Sequence, residues 1–134
     1  MKLKPNPQPF RYSLGDRGEV AACAYLKKQG YEILEKNYRC KIGEIDLIVQ
    51  KEGRVIFVEI KTRSSDHFGK PEESVHAAKQ QKVIRLAQWY LKSHKNFASS
   101  PVGFDVVAVT WNPDETPEIR HIPNAFTLPD SDRF

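Results

Sequence analysis

Gly43-Glu44-Ile45-Asp46-Leu47-Ile48-Val49, followed across a short turn containing Gly53 by Val55-Ile56-Phe57-Val58-Glu59-Ile60-Lys61-Thr62-Arg63, decides the fold of this chain. Two oily strands carry an Asp, a Glu and a Lys in their interiors. Side chains alternate faces along a strand, so Glu44, Asp46 and Ile48 are expected on one face of the first segment. Val55, Phe57, Glu59 and Lys61 are expected on one face of the second, with Glu59 and Lys61 about 7 Å apart at Cα. The connection Lys51-Glu52-Gly53-Arg54 is short enough for an antiparallel hairpin, which can bring Asp46 beside Glu59 and Lys61.

Charges on a strand commonly pair across a solvent-facing ladder. Here the flanks argue otherwise. Val55 to Val58 is apolar on both faces, as expected of a strand covered on both sides, and a lone buried carboxylate costs several kcal/mol unless it is paired or holds a metal. Two such carboxylates side by side also repel. A divalent cation resolves both costs: Asp46, Glu59, the carbonyl of Ile60 and waters are the hard oxygen donors that Mg²⁺ or Mn²⁺ takes. Lys61 would then stand beside a metal-bound water, where an ammonium can orient the nucleophile or neutralise a phosphate.

The Asp in one strand, the Glu-x-Lys in the next and the helix after it resemble the PD-(D/E)XK nuclease core of restriction enzymes and archaeal Holliday-junction resolvases. A closer resemblance rests on several ordered blocks: Gly18-Glu19-Val20-Ala21-Ala22, Gly30-Tyr31-Glu32-Ile33-Leu34, Asn37-Tyr38-Arg39, Gly43 to Ile48 and Phe57 to Arg63. These are similar to the bacterial YraN family of small endonuclease-like proteins, over about Leu14 to Trp111. The resemblance implies a restriction-endonuclease-like α/β core and a metal-dependent endonuclease acting on DNA, with branched or damaged DNA as the finer expectation. It adds Glu19, in the first helix, to Asp46, Glu59 and Lys61 as a catalytic residue. One departure is that Ile45, and no Pro, precedes Asp46. The alternative is a nucleic-acid-binding module that keeps the nuclease fold without turnover; an assembly protein would need neither the carboxylates nor the basic surface.

At 134 residues the chain is long enough for one core and too short for two. Hydrophobic residues make up 40% and charged ones 28%, a globular balance. No apolar run approaches a membrane span, and the polar start Lys2-Leu3-Lys4-Pro5-Asn6-Pro7-Gln8-Pro9 lacks a signal peptide's apolar stretch, so a cytoplasmic protein without a membrane partner is expected. Cys23 and Cys40 have no ligand spacing and read as free thiols, the first in a helix and the second in a loop. The net charge of +4 is unevenly spread: residues 27–95 carry 15 Lys/Arg against 9 Asp/Glu, whereas residues 99–134 carry 2 against 6. The basic excess surrounds the carboxylates and suits a polyanion held by its phosphates, with Arg39, Arg63, Lys79 and Lys82 as nucleic-acid contacts.

The expected order is α-β-β-β-α-β-β, a mixed β-sheet flanked by helices. Residues 1–12 read as a flexible N-terminal arm, 13–123 as the single endonuclease-like domain and 124–134 as a tail. Ser13 can cap a helix running to about Gln29, in which Gly15 and Gly18 imply close packing or a frayed first turn. Tyr31 to Tyr38 is a strand, Arg39 to Ile42 a turn, and Ser74 caps a helix to about His94. That helix is the crossover that lets the strand Phe104 to Trp111 lie parallel to the Glu59 strand, before a last strand at Ile119 to Ile122. Trp89 and Tyr90 read as packing residues, and His67 as a loop residue. Homodimer formation stays open.

Overall fold

The computed structural model describes residues 14–65 and 77–127. The arm 1–12, the expected caps Ser13 and Ser74, His67 and the tail beyond residue 127 lie outside the described residues.

Helix α1 (Leu14–Lys28) leads into an antiparallel run of β1 (Glu32–Cys40), β2 (Gly43–Lys51) and β3 (Arg54–Ser64). Helix α2 (Ala77–Ser93), a short 3-10 turn at Lys95–Phe97, β4 (Val102–Trp111) and β5 (Pro117–Ile122) complete the chain. The five strands form one sheet in the order β1-β2-β3-β4-β5. Only β3 and β4 run parallel, joined by the α2 crossover. The chain is therefore α/β with the expected element order, consistent with a nuclease-like core.

Local chemistry accounts for the joints. Lys51 pairs with Arg54, so the β2–β3 turn is Glu52-Gly53, both at positive φ (53° and 80°) as a tight hairpin of this hand requires. Cys40 pairs with Gly43, so β1 continues through Arg39 to Cys40 and the turn is Lys41-Ile42 alone. The expected turn at Arg39 and the loop placement of Cys40 are thereby corrected: the ladder with β2 satisfies their backbone groups.

Helices cover both faces of the sheet. Under α2, Ile45, Ile48, Val55 and Phe57 pack with Val83, Leu86, Ala87 and Tyr90. Under α1, Ala22, Cys23 and Leu26 pack with Leu47, Val49, Ile56, Val58, Val107 and Val109. Val55 to Val58 of β3 are at most 2% exposed, which is the apolar run that a doubly covered strand needs. Gly18 lets α1 lie on β3: a Cβ there would meet Thr62 Oγ1 at 1.9 Å, so the close packing expected of this helix falls at Gly18. At the far end of the chain Phe126 is buried and stacks on Phe104, and the Ala125 N–H donates to the Phe104 carbonyl.

Candidate active site

Strand β3 stays buried up to Glu59, which is 2% exposed, and only then emerges through Ile60, Lys61, Thr62 and Arg63, all half-buried. The carboxylate is held at the end of an apolar strand. Its face is set by alternation: Val55 and Phe57 join the core under α2, and Glu59 continues that row to meet Lys79 of α2, Nζ to Oε2 3.2 Å.

Strand β2 meets β3 only as far as Leu47↔Val58. Beyond it the Asp46 side chain replaces the ladder, its Oδ2 accepting the Ile60 N–H at 2.7 Å. Strict alternation lapses here, because Ile45 and Ile48 both enter the core under α2 while Leu47 turns to α1. The single face expected for Glu44, Asp46 and Ile48 is thus broken at the one residue whose carboxylate substitutes for a backbone acceptor.

The electrostatics follow from that placement. Burial, and then the charge of Asp46, push the Glu59 carboxyl up to about 7, against the opposing pull of Lys79 and Lys61. Burial also raises Asp46, opposed by its bond from Ile60 and by Lys79 and Lys61. Two carboxylates that each disfavour ionisation so close together titrate as a pair. Glu59 Oε1 is buried with no hydrogen-bond partner; the other such atom among the described residues is Trp111 Nε1. An orphaned carboxylate oxygen beside a second carboxylate fits a divalent cation, whose charge would offset the repulsion and which would accept the unused lone pairs.

Among the described residues no group of three or more His, Cys, Asp and Glu side chains gathers as a metal cage. A cation here would take two carboxylates from the chain, Asp46 and Glu59, with the Ile60 carbonyl and water as further oxygen donors. That composition suits Mg²⁺, which keeps several waters and commonly takes one or two protein carboxylates.

The remaining sequence-predicted residues divide. Glu19, on α1, has its carboxyl raised by burial and then by the charge of Asp46; a hydrogen bond from Asn37 opposes this. It borders a cleft of about 200 Å³ between α1 and the sheet, lined by Asp16, Val20, Cys23, Lys36 and Leu47 besides itself. Glu19 is thus coupled to Asp46 from the helix on the face of the sheet opposite α2, and does not complete a cage with the pair. Arg39 is exposed and stands opposite Glu44, Nε to Oε2 3.4 Å. Lys82 crosses the β1–β2 turn, its Cδ 3.1 Å from where a Gly43 Cβ would be. Arg63 lies two residues past Lys61 in β3, beside Thr110 of β4. Lys79 is committed to Glu59 in this state.

Two features escaped the sequence reading. Asn37, at φ 51°, supplies the partner of Glu19. Asp105 is buried in β4, accepting from the Asn124 N–H at 2.9 Å and bonded to His121 Nε2 at 2.7 Å, with the rings of Tyr25 and Tyr31 edge-on to the imidazole. The signal for Asp105 was present: a single acid inside Phe104-Asp105-Val106-Val107. Trp89 corrects an expectation, for it is 59% exposed, whereas Tyr90 is buried as a packing residue. The helix turns 100° per residue, and Trp89 lies outside the arc that Val83, Ile84, Leu86, Ala87, Tyr90 and Leu91 turn to the sheet.

Comparison with known proteins agrees with the sequence blocks. The model of Uncharacterised protein family UPF0102 matches residues 18–109. A UPF0102 protein of Caldanaerobacter subterraneus subsp. tengcongensis is 47% identical over 116 residues, 85% of this chain and 94% of the relative. Others from Desulforamulus reducens (46% over 117 residues, 86% and 96%) and Clostridioides difficile (47% over 112 residues, 84% and 95%) match as fully. Among the described residues no helix is long and apolar enough to cross a membrane. With its matched span holding Glu19, Asp46, Glu59, Lys61 and Lys79 in one fold, the chain belongs to the UPF0102 family, the same YraN family that its sequence blocks resemble.

Proposed function

We propose that this protein is a metal-dependent phosphodiester hydrolase, an endonuclease acting on DNA. The observation that carries the reading is Glu59: a 2% exposed carboxylate with one orphaned oxygen, pushed up to about 7 by burial and by Asp46 beside it. Stability alone gives no reason to bury two mutually repelling carboxylates at a sheet end, whereas a cation site needs them.

Asp46 and Glu59 would hold Mg²⁺ or Mn²⁺. When bound, the cation supplies Lewis acidity toward a phosphate oxygen and a lowered pKa for a bound water. The chain's own contributions are distinct. The Ile60 N–H fixes the Asp46 carboxylate at 2.7 Å, so one ligand is set before any metal arrives. Lys61 shares the face of Glu59 and places an ammonium where the attacking water or a non-bridging oxygen would lie. Lys79, Lys82, Arg39 and Arg63 surround the same sheet end and position the backbone by its phosphates.

One observation favours a second reading, a binding module without turnover. The Lys79 ammonium already lies 3.2 Å from Glu59 and can satisfy part of its charge without a metal. A nicking assay with Mg²⁺ or Mn²⁺ on duplex, single-stranded and four-way-junction DNA, run beside a gel-shift assay, separates the two. Metal-dependent cutting that Glu59→Gln abolishes is expected; a shift with no cutting under any metal would leave the binding module.

A further inference from the structure

Helix α2 has a face that its packing does not explain. Ala77–Ser93 holds four cations and no acid. Val83, Ile84, Leu86, Ala87, Tyr90 and Leu91 bury one side against the sheet. Lys82, Arg85, Trp89 and Lys92 recur at intervals of three, four and three, which places them in one stripe on the opposite side, and all four are exposed. No acid pairs with Lys82, Arg85 or Lys92 among the described residues. A solvated helix face ordinarily mixes both signs of charge; this one carries a single sign around an indole that is 59% exposed.

The stripe is continuous with the carboxylate site. Lys79, one turn before Lys82, touches Glu59, and Lys82 itself crosses Gly43. From Lys79 to Trp89 the helix advances about 15 Å at 1.5 Å per residue. That distance spans about four stacked nucleotides of one strand. At the far end a hollow of about 400 Å³ opens beside the stripe, lined by Gln88, Leu91, Lys92 and Ala98. Cations at this spacing take successive phosphates, and an exposed indole between them offers a face to a base that is not already stacked in a duplex.

We propose that the outer face of α2 is the track of an unpaired nucleic-acid strand leaving the Asp46–Glu59 site, with Lys82, Arg85 and Lys92 on its phosphates and Trp89 stacked on one unpaired base. The inference rests on the reading of that site as acting on nucleic acid, and it names the substrate class: one carrying a single-stranded stretch, such as a flap, a gap or a junction arm. A fully paired duplex uses the cations and leaves Trp89 idle.

Binding is measured with the full chain in EDTA, so that no cleavage is read, by titrating twelve-residue oligothymidylate, oligouridylate and a blunt duplex while following tryptophan fluorescence. Quenching by at least one single strand is expected, and Trp89→Phe should remove most of it. Trp89→Ala should weaken that strand's binding about tenfold, at the lower end of what one stacked base contributes, and change duplex binding by less than about twofold. Arg85→Gln with Lys92→Gln should weaken both forms and flatten the salt dependence, since each phosphate contact releases a counterion. Trp89 is exposed, so its variants should fold as the parent does. Unchanged single-strand affinity in Trp89→Ala overturns the proposal, as does a Trp89-dependent self-association with no response to nucleic acid. A protein that cuts duplex DNA yet binds single strands independently of Trp89 loses this inference and keeps the nuclease reading; one that never cuts but shows the Trp89-dependent quench does the reverse.

Discussion

Glu59 and Asp105 are both buried acids, 2% and 3% exposed, in neighbouring parallel strands. Their surroundings differ in kind. Asp105 has both oxygens engaged, one by the Asn124 N–H and the other by His121, so its burial is compensated. Glu59 has one oxygen engaged by Lys79, one with no partner and a second carboxylate beside it. A satisfied acid ties a strand pair together, whereas an unsatisfied pair of acids leaves donor capacity that a bound cation would use. Burial alone therefore does not set Glu59 apart from Asp105; its unfilled hydrogen-bonding capacity does.

The contrast is broken most forcefully by activity. Glu59→Gln and Asp46→Asn should each cut metal-dependent nicking by at least about a hundredfold, roughly 3 kcal/mol of transition-state stabilisation. Asp105→Asn, assayed where it is folded, should stay within a few-fold of the parent. Equal losses in all three would mean that the two acids do not differ as described.

Stability should show the opposite ranking. Asp105→Ala leaves the Asn124 N–H and the His121 ring without their acceptor, at a cost of about 2–3 kcal/mol in urea unfolding. Glu59→Gln in EDTA at pH 8 should cost nothing or stabilise, because it removes a desolvated charge from beside Asp46. A large loss on Glu59→Gln would identify the Lys79–Glu59 contact as a structural ion pair.

The pH dependence is the smaller effect and sharpens the assignment. Glu59 is raised from 4.5 to about 7 in the fold, so between those values the native state keeps a proton that the unfolded chain has released. Metal-free stability should therefore fall as pH rises through that window, by about 2 kcal/mol once the titration shared with Asp46 is allowed for. Glu59→Gln should lack this decline. A parent and variant with parallel stability profiles from pH 5 to pH 8 would remove the strained pair from the account.

Much of the scaffold was legible because it depends on local rules. The turn Glu52-Gly53 set the hairpin, the both-faces apolar run Val55 to Val58 announced a covered central strand, and the helical spacing of Val83, Leu86, Ala87 and Tyr90 gave the crossover that makes β3 and β4 parallel. The candidate site was legible as a list of residues, since an acid in an apolar strand is visible without coordinates. What distinguishes Asp105 from Glu59 was not, because the partners His121 and Asn124 lie 16 and 19 residues away and meet Asp105 only through the β4–β5 pairing. The break in alternation at Asp46 was equally hidden: it arises from the point where β2 parts from β3, a property of register. Trp89 departs from the packing role expected of it because it falls outside the apolar spacing of Val83, Leu86, Ala87, Tyr90 and Leu91, and is 59% exposed.

If Asp46 and Glu59 form an incomplete site that a divalent cation completes, thermal melts with and without metal will show it. With Mn²⁺ at about a hundred times its dissociation constant, binding to the folded state alone should add about 2.7 kcal/mol and raise the parent's melting temperature by roughly 10 °C. Asp46→Asn and Glu59→Gln should lose most of that rise, while melting no lower than the parent in EDTA. No Mn²⁺-dependent rise in the parent, or an equal rise in all three proteins, would contradict the account.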